Sequence, residues 1–159
     1  MDPRGQIQES AELFRKASDV RREDFQSKLL LSQSLRMLGD PQADEVALEG
    51  INRAEKQLQL NPTDRRALSL SAGYLYDVKG TGKAFQLMNK ALDLYPEEAV
   101  VLINAACLYA KDGSKEKALG FLEIAIGKGF GKKDWIEHDL DYDSLRNESR
   151  FQALLKKLK

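Results

Sequence analysis

Apolar residues recur at spacings of three and four along most of this chain. Leu68, Ala72, Leu75 and Tyr76 make one such stripe, and Leu102, Ala105, Ala106 and Tyr109 make another. That spacing lines one face of an α-helix. Strand-like alternation is scarce, so the pattern predicts an all-α chain. Residues 6–18 read as an amphipathic helix through Ile7, Ala11, Leu13, Phe14 and Ala17, placed to cap the N-terminal end. Residues 25–38 predict a second helix with Leu31, Ser32, Leu35 and Leu38 inward. Residues 43–60 predict a third with Ala47, Ile51, Ala54 and Leu58 on one face, after a turn at Gly39, Asp40 and Pro41.

The stripes repeat. Residues 65–96 (RRALSLSAGYLYDVKGTGKAFQLMNKALDLYP) align without a gap against residues 99–130 (AVVLINAACLYAKDGSKEKALGFLEIAIGKGF) at an offset of 34. Leu68 pairs with Leu102, Ala72 with Ala106, Leu75 with Tyr109, Ala84 with Ala118, Met88 with Leu122 and Ala91 with Ala125. The alanines are small where helices cross closely, and Leu75 and Tyr109 fill the space between. Pro62 and Pro96 stop the second helix of a unit. Gly80 and Gly113 fall in the turn within a unit, where a positive φ is expected.

This pattern resembles the tetratricopeptide repeat (TPR), a helix–turn–helix unit stacked into a solenoid. The resemblance implies a right-handed α-solenoid with a C-terminal capping helix. It divides the chain into an N-terminal helix (1–22), a degenerate repeat (23–62), two regular repeats (63–96 and 97–130) and a C-terminal cap segment (131–159). The degenerate unit has about six extra residues near its turn, and Gly50 and Gln57 stand where the family has alanine. Phe130 replaces the closing proline of the last repeat. The tail resembles the end of TPR modules in bacterial multidomain signalling proteins such as adenylate cyclases and Ser/Thr kinases. Gly129-Phe130, Trp135-Ile136, Asp139-Leu140-Asp141, Leu145-Arg146, Arg150-Phe151 and Leu154-Leu155 carry that likeness. Trp135, Ile136, Leu140, Leu145, Phe151, Leu154 and Leu155 are expected to cover the last repeat.

By the family's pattern the first helices line a concave groove. Its exposed positions are Arg66, Ser69, Leu70, Gly73, Tyr76 and Asp77, then Val100, Ile103, Asn104, Cys107, Ala110 and Lys111, with Gln26, Leu29, Leu30, Gln33, Arg36 and Met37 in the degenerate unit. An apolar floor with a few polar groups suits an extended peptide or a helix. Asn104 matches one position of the clamp by which some TPR proteins hold chaperone tails. Ser69, Gly73 and Val100 depart from it, so no such clamp is expected.

Composition narrows the function. Lysine plus arginine equals aspartate plus glutamate, 25 each in 159 residues, which argues against non-specific nucleic-acid binding and a polybasic membrane anchor. No apolar run is long enough to span a membrane, and the start lacks a signal-peptide core, so the chain reads as cytoplasmic. A periplasmic site stays open if the chain was cut from a membrane-anchored protein. One cysteine, Cys107, excludes an intrachain disulfide.

The glycine-rich stretch GKGFGKKDW (127–135) invites a phosphate-loop reading. It lacks the second glycine, the serine or threonine and the preceding strand that such a loop needs, so it reads as a helix stop at Gly127. The turn KGTGK (79–83) fails likewise. DLDYDS (139–144) has Ser144 and Arg150 where a calcium loop needs glycine and glutamate. His138, the single histidine, has no partner for a metal or a triad. Cys107 reads as an inert small residue, with Lys111 as its nearest source of activation. Neither an enzyme, a cofactor nor a metal is expected. The expected role is a scaffold or adaptor for a protein or peptide partner. The alternative is a regulatory or dimerising tail of a signalling enzyme, with a homodimer left open.

Overall fold

The structure, a computed structural model, describes residues 2–158. Its elements are α1 (Pro3–Val20), α2 (Phe25–Met37), α3 (Ala43–Leu60), α4 (Arg65–Lys79), α5 (Thr81–Leu94), α6 (Ala99–Lys111), α7 (Lys115–Gly127), α8 (Lys133–His138), a 3-10 helix at Leu140–Leu145, and α9 (Ser149–Lys157). No strand occurs among the described residues. The fold class expected from the sequence, all-α with TPR-type repeats, is the one observed.

Local chemistry sets the helix ends. The Asp24 and Asp64 carboxylates accept from the backbone N–H groups of Ser27 and Ala67, each at 2.9 Å, and so start α2 and α4. Pro62 and Pro96 each follow a helix end by two residues. Gly39, Gly113 and Gly129 take φ of 74°, 80° and 85° just past α2, α6 and α7. Each closes the same pair of bonds. After α7, Gly129 N–H donates to Ile126 O at 2.9 Å and Phe130 N–H to Ala125 O at 3.0 Å. The expected stop at Gly127 is therefore displaced. Gly127 is the last helical residue, and Gly129 is the left-handed one.

The helix starts keep the sequence rhythm beyond the two repeats that show it openly. First helices α4, α6 and α8 begin at Arg65, Ala99 and Lys133, and second helices α5, α7 and α9 at Thr81, Lys115 and Ser149. Every step is 34 residues. The C-terminal segment thus follows the plan of a further unit whose first helix is broken at Asp139.

The chain forms two compact units, one up to Leu87 and one from Met88 onward. In the first, α1 packs through Ala11 and Phe14 on Leu31, Leu35, Ala43 and Val46. Leu13, expected inward, is 61% exposed, because it lies off the face that Ala11 and Phe14 turn to α2. The Arg53 guanidinium of α3 donates to the carbonyls of Ser18 (3.0 Å), Asp24 (3.1 Å) and Arg21 (3.3 Å), tying down the end of α1. A second core gathers Leu29, Ile51, Leu75 and Ala84. Gly50 on α3 faces Leu29, and a methyl group at Gly50 would lie 2.7 Å from Leu29 Cδ2 and 3.2 Å from its backbone nitrogen.

In the second unit, Ala106, Ala110, Ala118, Leu119 and Leu122 of α6 and α7 share a core with Ile136, Tyr142, Leu145, Phe151, Leu154 and Leu155. Trp135 and Leu140, expected to cover this end, are 73% and 49% exposed. Tyr142 is buried in their place, with its ring 5.9 Å from that of Phe151. The cause is the break at Asp139. The 3-10 helix after it has about three residues per turn, so Tyr142 and Leu145 share its inner face. The Arg150 guanidinium pairs with Glu116 (2.6 Å) and Glu123 (2.8 Å), holding α9 on α7.

Candidate partner-binding surfaces

The expected groove residues fall in both units. In the first, Arg66, Ser69, Leu70, Gly73, Tyr76 and Asp77 lie on α4 beside α2. The two helices run parallel and in register. Arg66 donates to Gln26 Oε1 (2.8 Å), the Tyr74 hydroxyl to Gln33 Oε1 (3.2 Å), and the Arg36 guanidinium to Asp77 (2.6 Å). Partners in these bonds are 40 or 41 residues apart, and both numbers of each pair rise together, which only parallel neighbours give. Arg36 also reaches Asp44 at 2.7 Å. Leu30, Met37, Leu70, Gly73 and Tyr76 are half-buried beside these pairs. The Tyr76 ring meets the Phe85 ring edge-on at 6.3 Å.

Two expected surface positions of the first unit lie inside instead. Ser69 is fully buried, its hydroxyl donating to Arg65 O at 2.7 Å. Leu29 is fully buried under Gly50. Helix α3 approaches α2 so closely that this flank of α2 becomes core.

In the second unit, Val100, Ile103, Asn104, Cys107 and Lys111 are half-buried on α6, and Ala110 is buried. The 3-10 helix packs on the C-terminal half of α6. The Cys107 thiol donates to the Tyr142 hydroxyl oxygen (3.2 Å), the Lys111 ammonium pairs with Asp141 (3.4 Å), and the Ser144 hydroxyl donates to Ala110 O (2.8 Å). Cys107 and Lys111 are therefore engaged by the chain's own C-terminal segment, while Val100, Ile103 and Asn104 lie nearer the start of α6.

Cys107, Asp139 and Asp141 bring a sulfur and two carboxylate oxygens within 4.8 Å of one another, a trio the sequence reading did not assemble. The charges around it are already balanced. Lys111 pairs with Asp141, the Asp139 carboxylate accepts from Asp141 N–H at 2.9 Å, and the Arg146 guanidinium donates to the Asp139 and Glu137 carbonyls. Burial pushes the Cys107 thiol well above its ordinary range, and the Asp141 and Asp139 carboxylates push it further. It stays a thiol at neutral pH, which suits neither a nucleophile nor a metal ligand. Tyr142 is pushed up by the same burial, and then by its thiol neighbour. His138 is exposed, its Nδ1 2.8 Å from Asp134 O.

A cleft of about 240 Å³ opens in the first unit, lined by Ile51, Glu55, Leu58, Gln59, Ser71, Lys83 and Leu87. The Lys83–Glu55 pair (3.2 Å) stands among these residues, and the cleft contains none of the expected groove positions. No helix among the described residues is long and apolar enough to cross a membrane.

No protein-family model matches the chain, and no curated protein does. Two crystal structures of MamA, a TPR-containing protein, are similar to it. One aligns over 99% of this chain and 92% of its own, with a TM-score of 0.51 and 17% identity. The other aligns over 96% of this chain and 81% of its own, with a TM-score of 0.52 and 16% identity. At that identity the likeness carries the fold, a TPR-type helical repeat.

Proposed function

We propose that the chain is a non-catalytic scaffold that binds a peptide or partner domain along its first helices, with the face of α2 and α4 as the principal contact. The observation that carries this reading is the register of those two helices. Parallel neighbours present a row of polar pairs, Gln26–Arg66, Gln33–Tyr74 and Arg36–Asp77, beside half-buried Leu30, Leu70 and Tyr76. Apolar side chains of a ligand gain by leaving water there, while the polar row fixes its direction and position. Arg66, Leu70, Gly73, Tyr76 and Asp77 are the proposed contacts of the first unit, and Val100, Ile103 and Asn104 those of the second. Cys107 and Lys111 belong to the proposed groove only where a ligand displaces Tyr142 and Asp141. The TPR-type fold supports a protein partner rather than a substrate.

The second reading, a regulatory or dimerising tail of a signalling enzyme, rests on the C-terminal segment. Ile136, Leu145, Phe151, Leu154 and Leu155 of that segment lie in α8, the 3-10 helix and α9 and are buried.

Peptide-display selection tests the first reading. Ligands selected on the wild-type chain are titrated against Arg66→Glu and Asn104→Ala variants, with helix content checked by circular dichroism. Lys111 is left intact because it pairs with Asp141. Selected peptides that lose affinity for the Arg66→Glu variant support the α2–α4 face. Peptides that bind all variants equally place recognition elsewhere.

A further inference from the structure

The end of α7 and the turn after it expose an apolar and basic surface. Ile124, Phe130 and Trp135 are 50%, 48% and 73% exposed. Phe130 is the third residue past the helix, the one after the left-handed Gly129, and in this type of helix ending that residue leans back toward the last turn, where Ile124 lies. Gly129 and Gly131, with φ of 85° and 109°, bend the backbone on both sides of Phe130 and present its ring on a tight turn. Lys128 and Lys132 flank the turn, and Lys133 opens α8. The Lys132 ammonium sits 5.4 Å from the centre of the Trp135 ring. Lys128, Lys132 and Lys133 form no ion pair among the described residues, so their charge is not neutralised locally. Asp134 is the one acid between residues 128 and 135. A chain of zero net charge therefore carries a local cationic excess around two exposed aromatic rings.

We propose that this turn, residues 128–135, is a peripheral anchor for an anionic lipid surface. Trp135 and Phe130 enter the headgroup region, and Lys128, Lys132 and Lys133 meet the lipid phosphates and carboxylates. An indole is suited to that boundary because its ring is apolar while its N–H stays hydrogen-bonded. Lysines beside it are attracted by the negative surface potential of an anionic leaflet. Charge also argues against an extended polyanion. Exposed Glu137 follows two residues after Trp135 and would repel a phosphate backbone running along the surface, whereas a bilayer has to meet only residues 128–135. The contact is superficial and needs no spanning helix.

Trp135 is the single tryptophan, so its emission reports on this surface alone. The whole chain is titrated with vesicles of phosphatidylcholine, with and without phosphatidylserine. The expected result is a blue shift and co-sedimentation with the phosphatidylserine vesicles only. The triple variant Lys128→Gln, Lys132→Gln, Lys133→Gln is expected to bind about a hundredfold more weakly. A second variant, Phe130→Ser, is expected to reduce the co-sedimented fraction, and circular dichroism checks that both variants keep their helix content. An unchanged spectrum with phosphatidylserine vesicles overturns the proposal. So does an equal shift with phosphatidylcholine alone, or a shift with polyglutamate or RNA in the absence of any response to vesicles.

Discussion

The Cys107 thiol donates a hydrogen bond to the Tyr142 hydroxyl oxygen across 3.2 Å, joining α6 to the 3-10 helix 35 residues later. Both groups are pushed above their ordinary pKa, first of all by burial. The native thiol is therefore expected to react with maleimide at neutral pH far more slowly than the same thiol in denaturant. Tyr142→Phe keeps the ring beside Phe151 and removes the acceptor. It should cost about 1 kcal/mol, measured by urea unfolding. Equal native and denatured rates would show the thiol to be open to solvent.

Gly50 and Leu29 make the second prediction. Gly50→Ala gains up to ~1 kcal/mol of helix propensity. Its methyl group would sit 2.7 Å from Leu29 Cδ2 and 3.2 Å from a backbone nitrogen that cannot easily retreat. Overpacking of this kind costs about 1–3 kcal/mol and should win, lowering the unfolding midpoint. The double variant Gly50→Ala, Leu29→Ala tests the cause. It should show coupling between the two sites in a mutant cycle, because the smaller side chain relieves the collision. Strict additivity would dismiss the steric account.

These two sites show what the sequence could and could not convey. Helix stops were legible because their chemistry is local. A glycine or proline acts on its own backbone, so Gly113, Pro62 and Pro96 announced themselves, and the 34-residue offset between Ala72 and Ala106 carried the repeat. Gly50 read as a departure from the family's alanine, yet it is where α2 and α3 approach too closely for a side chain. Nothing in the pattern told degeneracy from close packing. The tail's rhythm was hidden for a different reason. Its first helix breaks at Asp139, and the 3-10 turns that follow have another period, so of the apolar residues expected to cover the last repeat Ile136 and Leu145 lie inside while Trp135 and Leu140 do not, and Tyr142, which was not expected there, is buried. The Cys107–Asp139–Asp141 trio depends on that break as well. In the proposed groove, Ser69 was placed by family position, which does not foresee its burial.

The third prediction concerns a helix start. The Asp64 carboxylate accepts from Ala67 N–H and from the Gln57 side-chain amide, both at 2.9 Å, linking the entry to α4 with the end of α3. Asp64→Ala removes both bonds and should destabilise by about 1 kcal/mol, whereas Asp64→Asn keeps an oxygen for Ala67 and should retain most of the cap. Hydrogen exchange at Ala67 should accelerate in the alanine variant alone. Equal loss in both variants would assign the effect to charge rather than to capping.

Asp139 supplies a prediction whose sign depends on which influence dominates. Its half-buried carboxyl is raised above the ordinary 3.8, chiefly by burial. The hydrogen bond from Asp141 N–H and the charges of Lys111 and Arg146 pull the other way without cancelling it. A carboxyl raised on folding holds its proton more tightly in the native state than in the unfolded one. Between 3.8 and the raised native value the native state therefore carries more proton, and stability falls as pH climbs through that window. Above the window the whole cost persists. Asp139→Asn retains an oxygen for Asp141 N–H but carries no charge, so it should be more stable than wild type at pH 7. The advantage should shrink as pH falls through the window and vanish below 3.8. Urea unfolding of both proteins across this range gives the difference directly. A variant that is instead less stable at pH 7, by a margin that narrows as pH falls, would mean that Lys111 and Arg146 outweigh burial and that Asp139 serves the fold as a charged partner.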